Sequence, residues 1–366
     1  MAARRGDTAA AQAMVSTQDQ GFGGRAGVWA ANLGSIDWSR QTWTAHSAQA
    51  ELPESRRTEL SGDSWVQQVS IAWSLPGESR VATDELWLTF ADEADPDGST
   101  TTRLAGDRDG PATAAPTPIW LQQPVRLLRA DRTLLLTDAD DAATWLRQAA
   151  VARQAVADRV GRAGRDEDKL LVVELPQSRA VFERSLGVTA GSYAAVAAAA
   201  WPMGTDTSTA PIHVVVNPEA TRPLSALGRN VLLTHEAAHV ATRSPGSPAP
   251  TWLVEGYADQ LAYDAQPAGS SPALAAVRTA VRDHGTPRSW PTEDDFAPDA
   301  TNLDLAYDQA WTATRSIADA YGAAALNRFY AAVDRGDSIA DAARTIGTTE
   351  QALLKRWHHD LEKIAA

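Results

Sequence analysis

The sequence predicts an α+β protein with two domains. A chain of 366 residues exceeds the usual size of one domain. Segments in its first third alternate apolar and polar residues as strands do, whereas helical periodicity dominates after residue 230. A hydrophobic fraction of 44% and a charged fraction of 22% are ordinary for a globular protein, so both domains are expected to bury a core.

The amino-terminal domain is predicted to place short helices against an antiparallel sheet. Ala-rich stretches before residue 34 are interrupted by Gly21, Gly23 and Gly24, which predicts two short helices. Two-residue spacing of apolar side chains then predicts strands over 38–52, 64–75, 83–93 and 133–137. Residues 95–118 are rich in Asp, Gly, Thr and Pro and predict a long hairpin excursion or a mobile loop, with turns at Asp97-Gly98 and Asp109-Gly110.

The domain boundary is predicted near residue 140, which gives domains over 1–140 and 141–366. An Ala-rich run over 140–161 predicts a connecting helix at this boundary. A small mixed sheet is expected from strands over 170–175, 193–200 and 212–217, with a helix over 177–186. Helical periodicity then predicts a mostly helical carboxy-terminal part, over 230–243, 253–263, 272–283, 304–321, 323–334, 339–346 and 349–364.

The charge balance argues against a nucleic-acid partner. The chain has 33 Lys and Arg residues against 46 Asp and Glu residues, and its formal net charge of -13 repels phosphate backbones and anionic lipid surfaces. It contains no cysteine, so disulfides, thiolate ligands and a cysteine nucleophile are excluded. Any metal must therefore be held by histidine and carboxylate side chains.

A metal-binding motif lies in the apolar, helix-competent run 232–241. His235 and His239 flank Glu236 in the pattern H-E-x-x-H. A separation of four residues puts both imidazoles on one face of a helix, where they can reach a single ion, and places Glu236 beside the open coordination position. The two histidines are therefore predicted metal ligands, and Glu236 is the predicted activator of water.

The third ligand is predicted on the next helix. A Pro-rich loop is followed by W-L-V-E-G-Y-A-D, residues 252–259, whose first turn would direct Glu255 back at the two histidines. A carboxylate completes a set of two histidines and one glutamate and leaves one position for water, which favours one zinc ion per chain. One turn later, Asp259 can accept the second ring N–H of a ligand histidine and hold its tautomer.

Together the two motifs resemble the gluzincin peptidases, whose third ligand lies in a W-L-x-E-G-x-A sequence on the following helix. The 15 residues between His239 and Glu255 are fewer than the aminopeptidase and thermolysin branches usually have, so the chain looks closer to the bacterial peptidase MA-like group. This resemblance covers residues 170–366. The amino-terminal domain is similar, more weakly, to NTF2-like folds of helices on a curved sheet, which implies a binding or spacing role.

The resemblance implies a zinc-dependent peptidase that hydrolyses peptide bonds with a metal-bound water activated by Glu236. The family commonly uses a Tyr or His of the helical domain to stabilise the oxyanion. Tyr307 is the first candidate for this role and Tyr257 and Tyr263 are alternatives, while a buried packing role for Tyr307 stays open. Residues 212–217 resemble the gluzincin edge strand, which binds extended peptide by main-chain pairing.

A binding protein is the competing class. In that hypothesis the chain is a catalytically inactive, zinc-stabilised scaffold whose amino-terminal domain carries the function. The five histidines outside the motif are expected to be structural or surface residues; they are His46, His213, His284, His358 and His359.

The expected partner is a peptide or protein substrate. No stretch approaches the ~18 consecutive apolar residues of a spanning helix, and no apolar signal-peptide core follows the basic start. The chain as given is therefore expected to be soluble, with no membrane contact of its own. An extracytoplasmic or membrane-tethered location stays open, because a missing leader would leave the same sequence, and the oligomeric state is undetermined.

Overall fold

The computed structural model describes residues 12–60, 62–111, 116–160, 170–266, 274–297 and 300–366. It contains helices and two small sheets, one antiparallel and one mixed, which confirms the predicted α+β class. The chain divides into two compact units. The first comprises Met1–Leu146 and Val172–Pro223, and the second comprises Arg147–Leu171 and Leu224–Ala366.

The strands of the described residues are β1 (Arg40–Ala50), β2 (Ser64–Ser74), β3 (Ala82–Ala94), β4 (Thr100–Gly106), β5 (Arg126–Ala130), β6 (Thr133–Thr137), β7 (Leu171–Glu174), β8 (Ala198–Pro202) and β9 (Ile212–Val216). The α-helices are α1 (Gln20–Ser35), α2 (Glu54–Glu59), α3 (Ala142–Val160), α4 (Arg179–Leu186), α5 (Pro218–Thr221), α6 (Ala226–Thr242), α7 (Thr251–Asp264), α8 (Ala275–His284), α9 (Leu303–Tyr321), α10 (Ala323–Asp334), α11 (Ile339–Thr345) and α12 (Glu350–Ala365). Most of these elements lie within a few residues of the predicted ones.

The antiparallel sheet of the first unit has the strand order β1-β2-β3-β4. Its central strand β2 buries Val69, Ile71 and Trp73 on one face, at the two-residue spacing that predicted a strand. The partner residues across the β2–β3 ladder run from Ser64 opposite Ala91 to Trp73 opposite Ala82 without a break in register. The sheet therefore follows from the alternation of apolar side chains.

The first helix is longer than the sequence predicted. The glycines that were expected to interrupt it lie in the first turns of α1. Asp19 caps the helix by accepting a hydrogen bond from Phe22 N at 2.7 Å, and Phe22 and Trp29 are buried and pack edge to face with ring centroids 5.6 Å apart. The cap and this packing outweigh a glycine cost of about 0.5–1 kcal/mol per residue. The part of the prediction on residues 1–11 lies outside the described residues.

Of the two alternatives predicted for residues 95–118, the structure has a hairpin in the first part, because β4 lies inside this range. A tight turn with Gly98 at φ +82° returns the chain, and β4 pairs with β3 from Ala94 opposite Thr100 to Phe90 opposite Leu104. The run of threonines in β4 favours extended backbone, and the hydrogen-bonding edge of β3 completes the pairing. The turn at Asp97-Gly98 was predicted correctly.

The mixed sheet has the order β5-β6-β7-β9-β8, and it includes strands from both sides of the predicted domain boundary. Leu175 N, immediately beyond the end of β7, donates to Leu136 O of β6 at 3.0 Å. A cut at residue 140 would therefore separate β5 and β6 from the other three strands. The compact units accordingly group residues 172–223 with the amino-terminal part, whereas the predicted boundary put them in the second domain.

The prediction that residues 212–217 form an edge strand was wrong. The strand found there, β9, lies between β7 and β8, pairs parallel to the former and antiparallel to the latter, and has all five residues buried. Its sequence I-H-V-V-V is apolar at four of five positions, which is typical of an interior strand. The edge on this side of the sheet is β8.

The second unit is built around α9. This helix contacts α7, α8, α10 and α12, and it buries Ala310, Trp311 and Ala313 among them. Helix α6 packs against α7, so the H-E-x-x-H segment and the W-L-V-E-G-Y-A-D segment lie on neighbouring helices. In the described part of the chain, no helix combines the length and the apolar composition needed to cross a membrane.

Candidate metal centre

His235 and His239 on α6 direct their rings at the same point. The ring centroids are 4.6 Å apart and the planes are nearly perpendicular, at 80°. The two Nε2 atoms approach to 2.9 Å. Four residues along an α-helix bring side chains onto one face, as the sequence spacing predicted. The two nitrogens that could bind a common ion are therefore already together.

The end of α6 provides a partner for His239 that the sequence analysis missed. The helix is closed by Arg243 in the left-handed region (φ +54°), and Ser244 N donates to His239 O at 3.1 Å. This reversal, a Schellman-type arrangement, brings Ser244 Oγ to 2.7 Å from His239 Nδ1. The signal in the sequence is weak, because Arg rather than Gly stands at the position that must adopt a positive φ.

Helix α7 contributes two carboxylates to the same place. Glu255 Oε2 lies 3.3 Å from His235 Nε2 and 3.5 Å from His239 Nε2. One turn later, Asp259 Oδ1 lies 2.8 Å from His235 Nδ1. Each histidine thus has its Nδ1 atom engaged by an oxygen and its Nε2 atom facing the other ligands. The structure brings all four predicted residues together.

The geometry of the three ligand atoms fits a tetrahedral metal ion. His235, His239 and Glu255 each offer one atom within 4.8 Å of the others, and no other such cluster occurs in the described residues. Zinc bonds of about 2.0–2.1 Å in a tetrahedron separate the ligand atoms by about 3.3–3.4 Å. The three observed separations, 2.9, 3.3 and 3.5 Å, bracket that value. Two imidazoles and a carboxylate are also ligands that zinc prefers.

The electrostatic field of the centre favours a cation. Burial lowers the pKa of His235, but the carboxylates of Asp259 and Glu255 outweigh burial and hold that pKa well above its usual range. Burial raises the pKa of Glu255, but the neighbouring imidazoles of His239 and His235 outweigh it and hold that pKa well below its usual range. The two carboxylates therefore stabilise positive charge on His235.

Glu236 is buried and is not one of the three candidate ligands. Its exposed fraction is 5%, and it follows His235 directly on α6. The pKa of Tyr307 is raised by burial first and then by the negative charges of Glu255, Asp259 and Glu236. The carboxylates on both α6 and α7 therefore interact electrostatically with Tyr307 on α9. Its ring also packs edge to face on Phe296, with centroids 5.5 Å apart.

The two alternative tyrosines have different surroundings. Tyr257 is buried, donates its hydroxyl to Asn327 Oδ1 at 2.8 Å and stacks on Tyr330 with centroids 4.2 Å apart. Burial, with help from Asp259 and Asp308, raises the pKa of Tyr263 to about 12. Of the three phenols, only Tyr307 has a pKa raised by both Glu255 and Glu236.

Gly256 permits the close crossing of α7 and α9. A Cβ atom at this position would lie 2.2 Å from Ala310 O and 2.9 Å from Thr314 Cγ2. The absence of a side chain instead lets Thr314 Oγ1 donate to Gly256 O at 2.7 Å. Gly256 directly follows Glu255, the third candidate ligand. The crossing therefore sets the distance between Glu255 and α9, the helix of Tyr307. A glycine in the middle of a predicted helix was the sequence signal for this contact.

The other histidines do not belong to the cluster. His213 is fully buried on β9 in the first unit, where its Nδ1 lies 2.7 Å from Glu174 Oε1 and its Nε2 lies 2.8 Å from Glu78 Oε1. Burial lowers its pKa, but the two carboxylates outweigh burial and raise the pKa to about 9. This buried charged group was not predicted. His46 contacts the Ser70 hydroxyl, and the remaining three are exposed or partly exposed.

No protein-family model matches the chain, and no curated protein matches it.

Proposed function

We propose that this protein is a zinc-dependent peptidase of the gluzincin type. The observation that carries the proposal is the convergence of His235 Nε2, His239 Nε2 and Glu255 Oε2 at separations of 2.9–3.5 Å, with the buried Glu236 next to His235 in the chain. Three protein ligands leave the fourth position of a tetrahedral ion open, as in catalytic rather than structural zinc sites. When bound, zinc supplies a Lewis acid that polarises a carbonyl and lowers the pKa of water.

Side chains of the protein supply proton transfer, oxyanion stabilisation and orientation of the ligands. Glu236 takes the proton of the attacking water and delivers it to the leaving amine. Tyr307 donates a hydrogen bond to the developing oxyanion, and its raised pKa keeps the phenol protonated for that purpose. Asp259 and Ser244 accept from the Nδ1 atoms of the two histidines, which keeps both Nε2 lone pairs directed at the metal.

The finer architecture belongs to the same proposal. The helical part that carries the ligands corresponds to a peptidase MA-like domain. The antiparallel sheet with α1 corresponds to an NTF2-like accessory domain. The short connection of α6 to α7, residues 243–250, and the succession of short helices after α9 support the first of these correspondences. In this reading the accessory domain supplies no catalytic residue, since every proposed one lies in the second unit.

Glu236→Gln provides the main test. The variant should retain one zinc per chain by elemental analysis and lower turnover of a peptide library by about 10²–10⁴-fold, because it loses the proton acceptor but no ligand. Glu362→Gln, an exposed glutamate on α12, is the matched control and should behave as wild type. Glu255→Ala should lose stoichiometric zinc.

Two outcomes would contradict the proposal. Full activity of Glu236→Gln would remove the mechanism. Zinc binding by the wild-type protein without hydrolysis of any library peptide would favour the alternative, a zinc-stabilised binding or scaffold protein.

A further inference from the structure

The segment 290–296, here called the strap, contacts α7, which carries the proposed third ligand Glu255, and α9, which carries Tyr307. It lies between α8 and α9 and ends in a short 3-10 helix, Glu293–Phe296. Thr292 and Asp295 form a capping box within it, with Thr292 N donating to Asp295 Oδ2 at 2.7 Å. The strap is thus held by its own hydrogen bonds and presents a defined set of side chains to its neighbours.

Glu293 of the strap caps α7. That helix starts after Pro250, which makes no side-chain hydrogen bond to the first turn. The Glu293 carboxylate fills this role from 42 residues away, accepting from Thr251 N at 2.9 Å and from the Thr251 hydroxyl. A carboxylate at a helix amino terminus satisfies an unpaired N–H and complements the helix dipole. Glu255, the third ligand, lies one turn further along this helix.

Trp290 fixes the other end of the strap. Its ring stacks on Trp252 with centroids 4.6 Å apart and planes within 9°, and on its other side it stacks on Trp357 of α12 with centroids 5.3 Å apart. Its Nε1 atom donates to Glu350 Oε1 at 3.2 Å. The first turn of α7 is therefore held from two directions, through Trp252 and through Thr251.

Phe296 connects the strap to α9. Its ring packs edge to face against Tyr307, with centroids 5.5 Å apart. The strap thus bonds to the first turn of α7 at Glu293 and contacts Tyr307 of α9 at Phe296. It therefore couples the positions of these two helices. A displacement of a catalytic group by about 1 Å can lower the catalytic rate about 10²-fold.

From these contacts we infer that the strap is a positioning element of the metal centre. Glu293 places the helix of Glu255, and Phe296 places the hydroxyl of Tyr307. The inference for Phe296 rests on the proposed function, whereas the inference for Glu293 concerns metal binding alone. Neither residue is assigned contact with the metal or the substrate.

The zinc affinity of Glu293→Ala tests the inference. Measured by competition with a chelating dye well below the unfolding temperature, its zinc dissociation constant should rise about 10-fold, the lower end of the range for groups that orient metal ligands. Glu293→Gln keeps the length and one acceptor oxygen and should lie between wild type and Glu293→Ala. Asp294→Ala, an exposed neighbour in the same turn, is the control and should match wild type.

A merely structural cap would lower the melting temperature of Glu293→Ala and leave its zinc affinity unchanged, and that result would overturn the inference. If Glu293→Ala does not fold, an unchanged zinc affinity in Glu293→Gln would overturn it equally. The zinc dissociation constant tests the role of Glu293 even if the protein proves to have no peptidase activity.

In the active enzyme, Phe296→Ala should lower kcat about 10-fold with KM and zinc affinity unchanged, and Phe296→Leu should recover most of that loss. An unchanged kcat in Phe296→Ala would overturn the role of the strap in placing Tyr307. A protein without peptidase activity would overturn that role together with the proposed function.

Discussion

Asp259 Oδ1 lies 2.8 Å from His235 Nδ1, and this contact joins the two helices that carry the candidate metal ligands. His239 has the corresponding contact with Ser244 Oγ at 2.7 Å. The Asp259 carboxylate can only accept, so it selects the tautomer that leaves His235 Nε2 free for a cation, and the Ser244 hydroxyl can accept from the same tautomer of His239. The two contacts differ in charge, since only Asp259 adds a negative charge, and this difference leads to the first prediction.

We expect Asp259→Ala to weaken zinc binding by about 10–100-fold and Ser244→Ala to weaken it less, because only the former removes a negative charge as well as an acceptor. Competition with a chelating dye gives both constants. Asp319→Ala, an exposed residue on α9, serves as the control. Equal affinity of Asp259→Ala and wild type would show that the carboxylate does not orient His235.

Tyr307→Phe should lower kcat by about 10²–10³-fold, equivalent to about 3–4 kcal/mol, with KM little changed, because an oxyanion donor acts mainly in the transition state. Tyr321→Phe, whose partly exposed hydroxyl contacts Thr348, controls for the loss of a phenol on the same helix. Steady-state kinetics on a cleaved library peptide measures both. If kcat stays at its wild-type value, Tyr307 only packs on Phe296, and Tyr263 becomes the next candidate.

Gly256→Ala should destabilise the protein although alanine favours helices by about 1 kcal/mol over glycine. The new Cβ would lie 2.2 Å from Ala310 O, and relieving that overlap by moving α7 from α9 costs about 1–3 kcal/mol or more. Zinc affinity should fall too, because Glu255 moves with α7.

Chemical denaturation and zinc titration of Gly256→Ala check both effects. Gly246→Ala is the control, since a Cβ there meets no atom within 4 Å. Wild-type stability in Gly256→Ala would mean that the helices can separate at no cost.

Asp84→Asn should flatten the pH dependence of stability. Burial raises the pKa of Asp84 to about 7, Glu174 adds to the rise, and the Trp73 Nε1 hydrogen bond at 2.5 Å and His213 oppose it. A carboxyl whose pKa is raised in the folded state stabilises the protein fully below the unfolded-state pKa of about 3.9. That stabilisation is lost as the pH rises through the folded-state pKa of about 7. Between pH 4 and 7, the wild type should therefore lose stability relative to Asp84→Asn.

Urea denaturation at several pH values measures this difference, with the exposed Asp319→Asn as control. Wild type and Asp84→Asn should diverge between pH 4 and 7 and run parallel above it. His213, with its pKa of about 9, stays charged over that range and loses its contribution only at higher pH. Parallel curves throughout would mean that Asp84 titrates normally.

The sequence by itself determined the α+β class and the residues of the candidate centre. His235 and His239 face one point because the helical repeat alone sets the direction of residues four apart, and Glu255 and Asp259 share a face of α7 for the same reason. Alternation over β2 predicted its buried face in the same way. Such features depend on local geometry, which a short stretch of sequence contains.

Only the tertiary structure decided the contacts between segments that are distant in the chain. The pairing of β4 with β3, the interior position of β9 and the grouping of residues 172–223 with the first unit depend on which strand edges meet. The Glu293 cap of α7 and the fit of Gly256 against Ala310 depend on how helices pack. No local pattern encodes these contacts, because each side chain is compatible with many partners until the packing of the whole unit selects one.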